Sequence, residues 1–355
     1  MRPIPLVRVS TLLPCVALLQ EIGAPVQRLM NAAKLPMAAC DQPEGLIPLH
    51  QGCYLLERAA RSQGIALFGL HAGQRARLEN LGAFGRLICG SLTLYEAITT
   101  TCRLVAAHNT GERIWLNVQG EQAQLRHRYV AGIERGRQQA DHYVFMCLLQ
   151  LIRLGAGANW RPQRVHFETE PAPGLDQIEP LTGVELAFNQ EATTLFFPKS
   201  LLSLPLEKRI EWPVALSEME TDLWASAPAG DLIGSVRQVL GLLLREQYPD
   251  IGLAAQVAGV SIRTFQRWLA ASNLTYSRLV EQVRFEKAMQ LLAEPHHPLL
   301  EIAIELGYTE LANFSRAFRR WTGVSPLQFR RQWALGDFSP SAPSAGRYPV
   351  ALGTK

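Results

Sequence analysis

Residues 301–326 read EIAIELGYTELANFSRAFRRWTGVSP. The spacing predicts a short helix over Leu300–Leu306, with Ile302, Ala303 and Leu306 on one apolar face. Gly307 ends it, because a residue free to take positive φ terminates a helix at little cost. Thr309 is the expected N-cap of a second helix. That helix carries Phe314, Ala317, Phe318 and Trp321 at i, i+3, i+4 and i+7, so this side is core. Its other side carries Asn313, Arg316, Arg319 and Arg320. Gly323 closes it, and Pro326 stands just beyond. A small Ala303 at a helix crossing, Gly307 at the turn, then a helix with a basic outer face make a helix-turn-helix pattern.

The pattern occurs a second time upstream. Residues 253–260, LAAQVAGV, place Ala255 and Gly259 at the same Ala-x-x-x-Gly spacing. Ser261 is the expected N-cap of the next helix, SIRTFQRWLAAS. That helix buries Phe265 and Leu269, with Trp268 beside them, and exposes Arg263, Gln266 and Arg267. The inner pairs correspond, Phe265 and Leu269 here against Phe314 and Phe318 there, with the second turn one residue longer. Such an internal repeat is stronger evidence than a single copy. A linking helix over about Tyr276–Leu292 separates the two units.

On these residues the segment from about Asp231 to Trp333 resembles the double helix-turn-helix DNA-binding domain of AraC/XylS-type bacterial transcriptional regulators. The match is densest at Ile302, Ala303, Gly307, Tyr308, Phe314, Ser315, Phe318, Gly323, Ser325, Pro326 and Arg330, which follows Phe329. Arg284, Ala288, Leu291 and Leu292 also stand where the family places them in the linking helix. Asn273 departs from the pattern, which commonly has Gly after the first recognition helix. Asn tolerates the left-handed conformation required there.

With 355 residues the chain is long enough for two domains, each with a core. Its 48% hydrophobic and 19% charged content suits a soluble globular protein, and its net charge of +4 permits nucleic-acid binding without demanding it. Six cysteines, all before residue 150, are scattered without Cys-x-x-Cys and read as thiols in a reducing cytosol, not as a zinc site. The apolar run Leu12–Leu19 follows Arg2 and Arg8 but is broken by Pro14 and continues into Gln20 and Glu21, which argues against a signal peptide. No run approaches the roughly 18 apolar residues of a membrane span. The expectation is a cytoplasmic protein with no cofactor and no metal.

The N-terminal part reads as α+β. Helices are predicted over Thr11–Glu21, Val26–Ala33, Leu49–Arg61, Leu81–Cys89, Leu92–Ala107 and Arg135–Leu154, the last ending at Gly155. A hairpin joins Glu112–Gln119, with Ile114, Leu116 and Val118 on one face, to Ala123–Val130, with Leu125, His127 and Tyr129 on one face. Short strands are expected at Arg164–Glu168, Val184–Phe188 and Thr194–Phe197, and short helices at Leu175–Leu181 and Lys199–Leu204. The order of elements and the segment VELAFNQEATTLFFPKSLLSLPL (184–206) resemble, more loosely, the arabinose-binding-type sensor domain of some AraC-type regulators. The expected division is a sensing and dimerisation domain over 1–205, a linker over 206–230, the all-α double helix-turn-helix domain over 231–335, and a disordered tail over 336–355. Asp231 is the expected N-cap of a helix over Leu232–Gln247 that Pro249 ends.

The resemblance implies a sequence-specific DNA-binding transcriptional regulator, an activator, whose N-terminal domain answers a small-molecule effector. Its expected partners are double-stranded promoter DNA, an effector of unknown identity, a second copy of the chain and RNA polymerase. The base-edge candidates are Arg263, Gln266 and Arg267 in the first unit, and Asn313 and Arg316 in the second. Arg suits guanine and Gln or Asn suits adenine, each through a bidentate pair. Ser261 and Thr309, at helix N-termini, are phosphate candidates, as are Arg319 and Arg320. Arg284 and Arg330 contact phosphate or brace the fold. In the sensor part, His108, Arg113, His127, Tyr129, His142 and His166 are the polar groups available to line a pocket. Two other classes stand beside this reading. One is a constitutive DNA-binding regulator whose N-terminal domain only dimerises. The other is an enzyme fused to the same DNA-binding module, for which no Cys cluster or nucleophile elbow is present.

Overall fold

The computed structural model describes residues 3–206, 212, 214–244 and 249–334. The expected disordered tail, the charged piece Glu207–Glu211 and the expected helix end at Gln247 lie outside the described residues. The chain divides into two compact units, one ending at Asp231 and the other beginning at Leu232.

The first unit opens with β1 (Leu6–Arg8), α1 (Leu13–Glu21) and α2 (Val26–Ala32). Then come β2 (Leu46–Pro48), α3 (Leu49–Gln63), α4 (Phe68–Arg75), α5 (Gly82–Cys89) and α6 (Leu94–His108). The hairpin β3 (Glu112–Gln119) and β4 (Gln122–Tyr129) precedes α7 (Arg137–Ala156). Three strands follow, β5 (Arg164–His166), β6 (Glu185–Ala187) and β7 (Thr193–Pro198), and then α8 (Leu216–Ala225).

β1 and β2 form an antiparallel ribbon with Val7 opposite Ile47. The other strands form one five-stranded sheet in the order β3-β4-β7-β5-β6, antiparallel except between β5 and β6. Its register sets Leu125 of β4 opposite Leu116 of β3 and Leu195 of β7. On β4 the expected inward face is observed, with Leu125, His127 and Tyr129 all buried. On β3 burial fades along the strand: Ile114 is buried, but Val118 near the turn is 40% exposed.

Three labelled elements of the first unit were not expected from the sequence: β1, β2 and α4. Others differ in extent. The helix expected over Leu175–Leu181 is a single 3-10 turn, Leu175–Gln177. α7 runs past Gly155 to Ala156, and Gly157, at φ +90°, follows it. Within the stretch expected as a linker, α8 packs against α5 and α6.

The second unit is helical: α9 (Leu232–Leu243), α10 (Ile251–Val257), α11 (Ile262–Ala271), α12 (Tyr276–Ala293), α13 (Leu299–Glu305), α14 (Leu311–Thr322) and α15 (Pro326–Ala334). The expected repeat is visible in its turns. Gly259 after α10 has φ +67° and Gly307 after α13 has φ +72°. Asn273, after α11, takes φ +54°, the left-handed conformation a Gly would take there. Ile302, Ala303, Leu306, Phe314, Phe318 and Phe329 form a core around the second unit's turn, each fully buried.

Candidate functional site

The outer face of α11 is built by its inner one. Phe265 and Leu269 are buried against the rest of the unit. The 100° step of the helix then turns Arg263, Gln266 and Arg267 to solvent, where all three are exposed. Ser261 caps the helix: its hydroxyl accepts from the Thr264 backbone N–H at 3.2 Å. Trp268, expected in the core, is only half-buried.

α14 follows the same logic with one correction. The N-cap position is Glu310, which makes no side-chain capping bond, so Thr309 is exposed and precedes the cap instead of supplying it. Phe314, Ala317, Phe318 and Trp321 face inward. Arg316, Arg319 and Arg320 are exposed and Asn313 is half-buried. The Arg316 guanidinium donates to Asn313 Oδ1 at 2.6 Å, which holds two base-edge candidates together. Arg320 donates to Glu281 of α12 at 2.8 Å, so its charge is already paired within the unit. Ser315, Arg316, Arg319 and Arg320 surround one shallow depression.

The two arginines with alternative expected roles brace the fold. Arg284 is buried, donates to the Gly307 carbonyl at 3.0 Å and lies 4.3 Å from the Tyr308 ring centre. It therefore ties the linking helix to the turn of the second unit. Arg330 donates to the His297 carbonyl at 2.7 Å.

The first unit holds an internal cavity of about 80 Å³ between α1, α3, α5, α6, α7 and the β3–β4 hairpin. Leu56, Phe84, Ile88, Leu148 and Leu151 are among its apolar walls, and Tyr143, His108, Tyr129 and Glu112 supply polar atoms. Of the sequence candidates, His108 and Tyr129 line it, whereas Arg113, His142 and His166 do not. Tyr143 and Glu112 were missed, since a single Tyr on a helix and a Glu on a strand carry no sequence signal of their own.

His127 lies behind the cavity wall, fully buried, with Nε2 3.0 Å from Glu112 and Nδ1 3.7 Å from Asp141. Burial pulls its imidazole down, but the hydrogen bonding and charge of Asp141 and Glu112 overcome this and raise it to about 9. Asp141 in turn accepts from the hydroxyls of Thr193 at 2.6 Å and Thr169 at 3.2 Å. His108 goes the other way: burial, helped by the charge of Arg8, lowers it to about 3. All six cysteines are free thiols, and burial pushes Cys53 and Cys147 up to about 12. Among the described residues there is no cluster of three metal-ligating side chains, and no helix is long and apolar enough to cross a membrane.

A pair of helix-turn-helix units, each presenting a polar and cationic helix on an aromatic core, defines a DNA-binding transcriptional regulator. The sequence pattern of the arabinose-binding N-terminal domain of AraC transcription regulators matches residues 23–206, and that of a helix-turn-helix domain matches residues 254–332. The chain belongs to the AraC family of transcription regulators, and the proteins it resembles are regulators, not enzymes. It is 27% identical to the ornithine utilization regulator of Pseudomonas aeruginosa over 336 residues, 92% of this chain and 96% of that one. It is 38% identical over 104 residues to the HTH-type transcriptional regulator VqsM of the same species, covering 28% of this chain and 32% of that one. Among solved structures it is similar to the transcriptional regulator CdpR from Pseudomonas aeruginosa, with a TM-score of 0.35, 21% identity, and coverage of 86% of this chain and 96% of that one.

Proposed function

We propose that this chain is a sequence-specific regulator that reads DNA with α11 and α14 and answers a small molecule held in its first unit. The observation that carries the reading is the repeated helix face: Arg263, Gln266 and Arg267 on α11, and Asn313 and Arg316 on α14, all standing on buried aromatic or aliphatic pairs. In this reading each helix enters a major groove, and the two grooves are successive ones on one face of the duplex, roughly 34 Å apart. Ser261, Arg319 and Arg320 contact phosphate and set the register, with Thr309 beside them. The cavity supports effector binding, because pockets of this kind are concave, mostly apolar and carry a few polar groups. An effector shifts the DNA-binding state only through different affinities for the two states. The chain acts as a homodimer on paired half-sites and activates transcription by recruiting RNA polymerase.

The test is selection of bound genomic fragments by the full-length protein, with footprinting of the best ones. A protected site covering two successive major grooves per chain is the expected result. Protection of a single groove, or no preference among sequences, would count against the two-helix reading. Transcription in vitro from the selected promoters then reads activation or repression directly.

A further inference from the structure

The inference rests on the proposed effector-binding role of the first unit. We infer that its cavity takes a protonated amine with an apolar body, and that the ammonium group sits between the Glu112 carboxylate and the Tyr129 hydroxyl.

Glu112 and Tyr129 stand directly opposite each other across the β3–β4 hairpin, and both line the cavity. Such a pairing brings the two Cβ atoms within about 5.5 Å, so one small group can reach both side chains. Glu112 Oε2 is spent on His127 Nε2 at 3.0 Å. Among the described residues nothing hydrogen-bonds Glu112 Oε1 or the Tyr129 hydroxyl.

The charge at this end of the cavity is negative. Two carboxylates, Glu112 and Asp141, face the His127 imidazole, so the group keeps one negative charge even with the imidazole protonated. No Lys or Arg is among the described residues of the wall. Arg8 and Arg137 lie close enough for their charge to act on the wall residues His108 and Cys53. Each already holds a carboxylate of its own, Glu44 at 3.1 Å and Glu168 at 2.7 Å. A buried negative charge without a countercharge is costly, and a cation answers it. Phe84, Tyr129 and Tyr143 add aromatic rings to the wall, and ring faces attract cations.

The other polar atoms do not make this choice. The Thr101 hydroxyl donates to the Ala97 carbonyl at 2.8 Å, Thr11 lies 2.8 Å from His108 Nε2, and the Tyr143 hydroxyl bonds the Cys147 thiol. Asn109 Nδ2 and His108 Nδ1 have no partner among the described residues, and both groups are neutral. Sugar hydroxyls can pair with such atoms and with Glu112, but they leave the negative charge unanswered. A carboxylate would add a second one. Leu56, Ile88, Leu148 and Leu151 are left to cover the apolar body.

The experiment is titration calorimetry on the full-length chain at about pH 7 with 2-phenylethylamine, 2-phenylethanol, phenylacetate and L-arabinose. The amine is expected to bind at least about tenfold more tightly than the alcohol, because hydrogen bonds between charged groups are the stronger ones. Phenylacetate should be weaker still. Titrating the amine in buffers of different ionisation enthalpy should show no proton released; release of about one proton per ligand would mean that it enters uncharged and would overturn the assignment. Glu112→Gln leaves His127 and Asp141 as a neutral pair and should erase the amine's advantage over the alcohol. Tyr129→Phe spares that network, should Glu112→Gln fail to fold, and is expected to weaken the amine several-fold. An advantage that survives both substitutions would overturn the assigned chemistry and leave the effector role standing. So would the alcohol, phenylacetate or arabinose binding as tightly as the amine. Silence from every probe would overturn the inference itself. DNA binding measured on the same samples keeps the two readings distinct: amine binding that never alters DNA affinity would support the cavity chemistry and remove the effector role.

Discussion

Arg316 and Arg320 lie one turn apart on α14, yet their neighbours give them different tasks. Arg320 already holds Glu281, so a phosphate would only replace one anion with another. Arg316 leans on the neutral Asn313 amide and keeps its charge for DNA. Arg316→Ala should therefore weaken specific binding by about 1–3 kcal/mol and relax the choice at one base position. Arg320→Ala should weaken all sequences alike and by less. Anisotropy titrations on the selected site and on scrambled DNA measure both, and equal weakening by Arg316→Ala on every sequence would make it a phosphate contact. Gly69 shows the same dependence on neighbours inside the first unit. A Cβ there would collide with the backbone carbonyl of Gln139, and one at Gly73 would come within 2.6 Å of Met146 Cβ. These glycines let α4 cross α7 closely, and the Gln139 side chain locks the crossing by accepting from Gly69 N–H at 2.8 Å and donating to the Ala66 carbonyl at 2.7 Å. Gly69→Ala should destabilise the first unit by about 1–3 kcal/mol through overpacking, although Ala is the better helix former. A more stable variant in urea denaturation would refute the close-crossing account.

At the scale of elements, the glycines also explain why α4 was invisible. Phe68–Arg75 reads FGLHAGQR, and paired glycines lower helix propensity where the tertiary crossing requires them. β1 and β2 are three residues each, too short for a period-two signal. By contrast α11 and α14 were legible almost to the residue, because long amphipathic helices with a repeated turn write their burial into the sequence. The outer-face candidates could be named for the same reason, while the cavity could not, since it is assembled from distant helices. How α8 is held in place, rather than its presence, shows what pattern reading leaves out. The buried Arg8 donates to Ala107 O at 3.1 Å, to Glu44 O at 3.0 Å and Glu44 Oε2 at 3.1 Å, and to Leu223 O at 2.9 Å. It also reaches the Ser226 carbonyl at 3.3 Å and hydroxyl at 3.2 Å, so one guanidinium fastens the end of α8 to β1 and to the end of α6. Arg103 of α6 and Glu220 of α8 add an exposed ion pair. Arg8→Met keeps the volume but strands several buried carbonyls, and should cost about 2–4 kcal/mol. Arg103→Ala should cost no more than about 1 kcal/mol, as surface pairs do. Chemical denaturation compares the two, and equal losses would mean that Arg8 is not the main tie.

On the scale of the whole molecule, charge and pH separate the two units. The titratable groups most displaced near neutrality, His127 and His108, both belong to the first unit. His127 binds its proton more tightly when folded, about 9 against an ordinary 6.5. Its stabilisation is thus complete below pH 6.5 and is lost as pH rises through 9. His108 has the opposite sign: its folded value of about 3 lies below 6.5, so its contribution is present above 6.5 and lost as pH falls towards 3. The first unit should therefore be most stable near pH 6.5 and lose about 2 kcal/mol by about pH 8 through His127 alone. Above the ordinary thiol range the buried cysteines steepen the decline, because Cys53 and Cys147 ionise only on unfolding. In the second unit Glu286 and Tyr308 are displaced, both raised by burial from ordinary values of 4.5 and 10.0, outside this window. Calorimetric unfolding of the full chain at about pH 6.5 and about pH 8 should lower one transition and leave the other in place. His127→Gln should remove that shift, because an amide cannot carry the proton that Glu112 and Asp141 hold in the folded state. A pH shift of the same size in both transitions, or one that survives His127→Gln, would show that the Glu112–His127–Asp141 network does not set the alkaline limit.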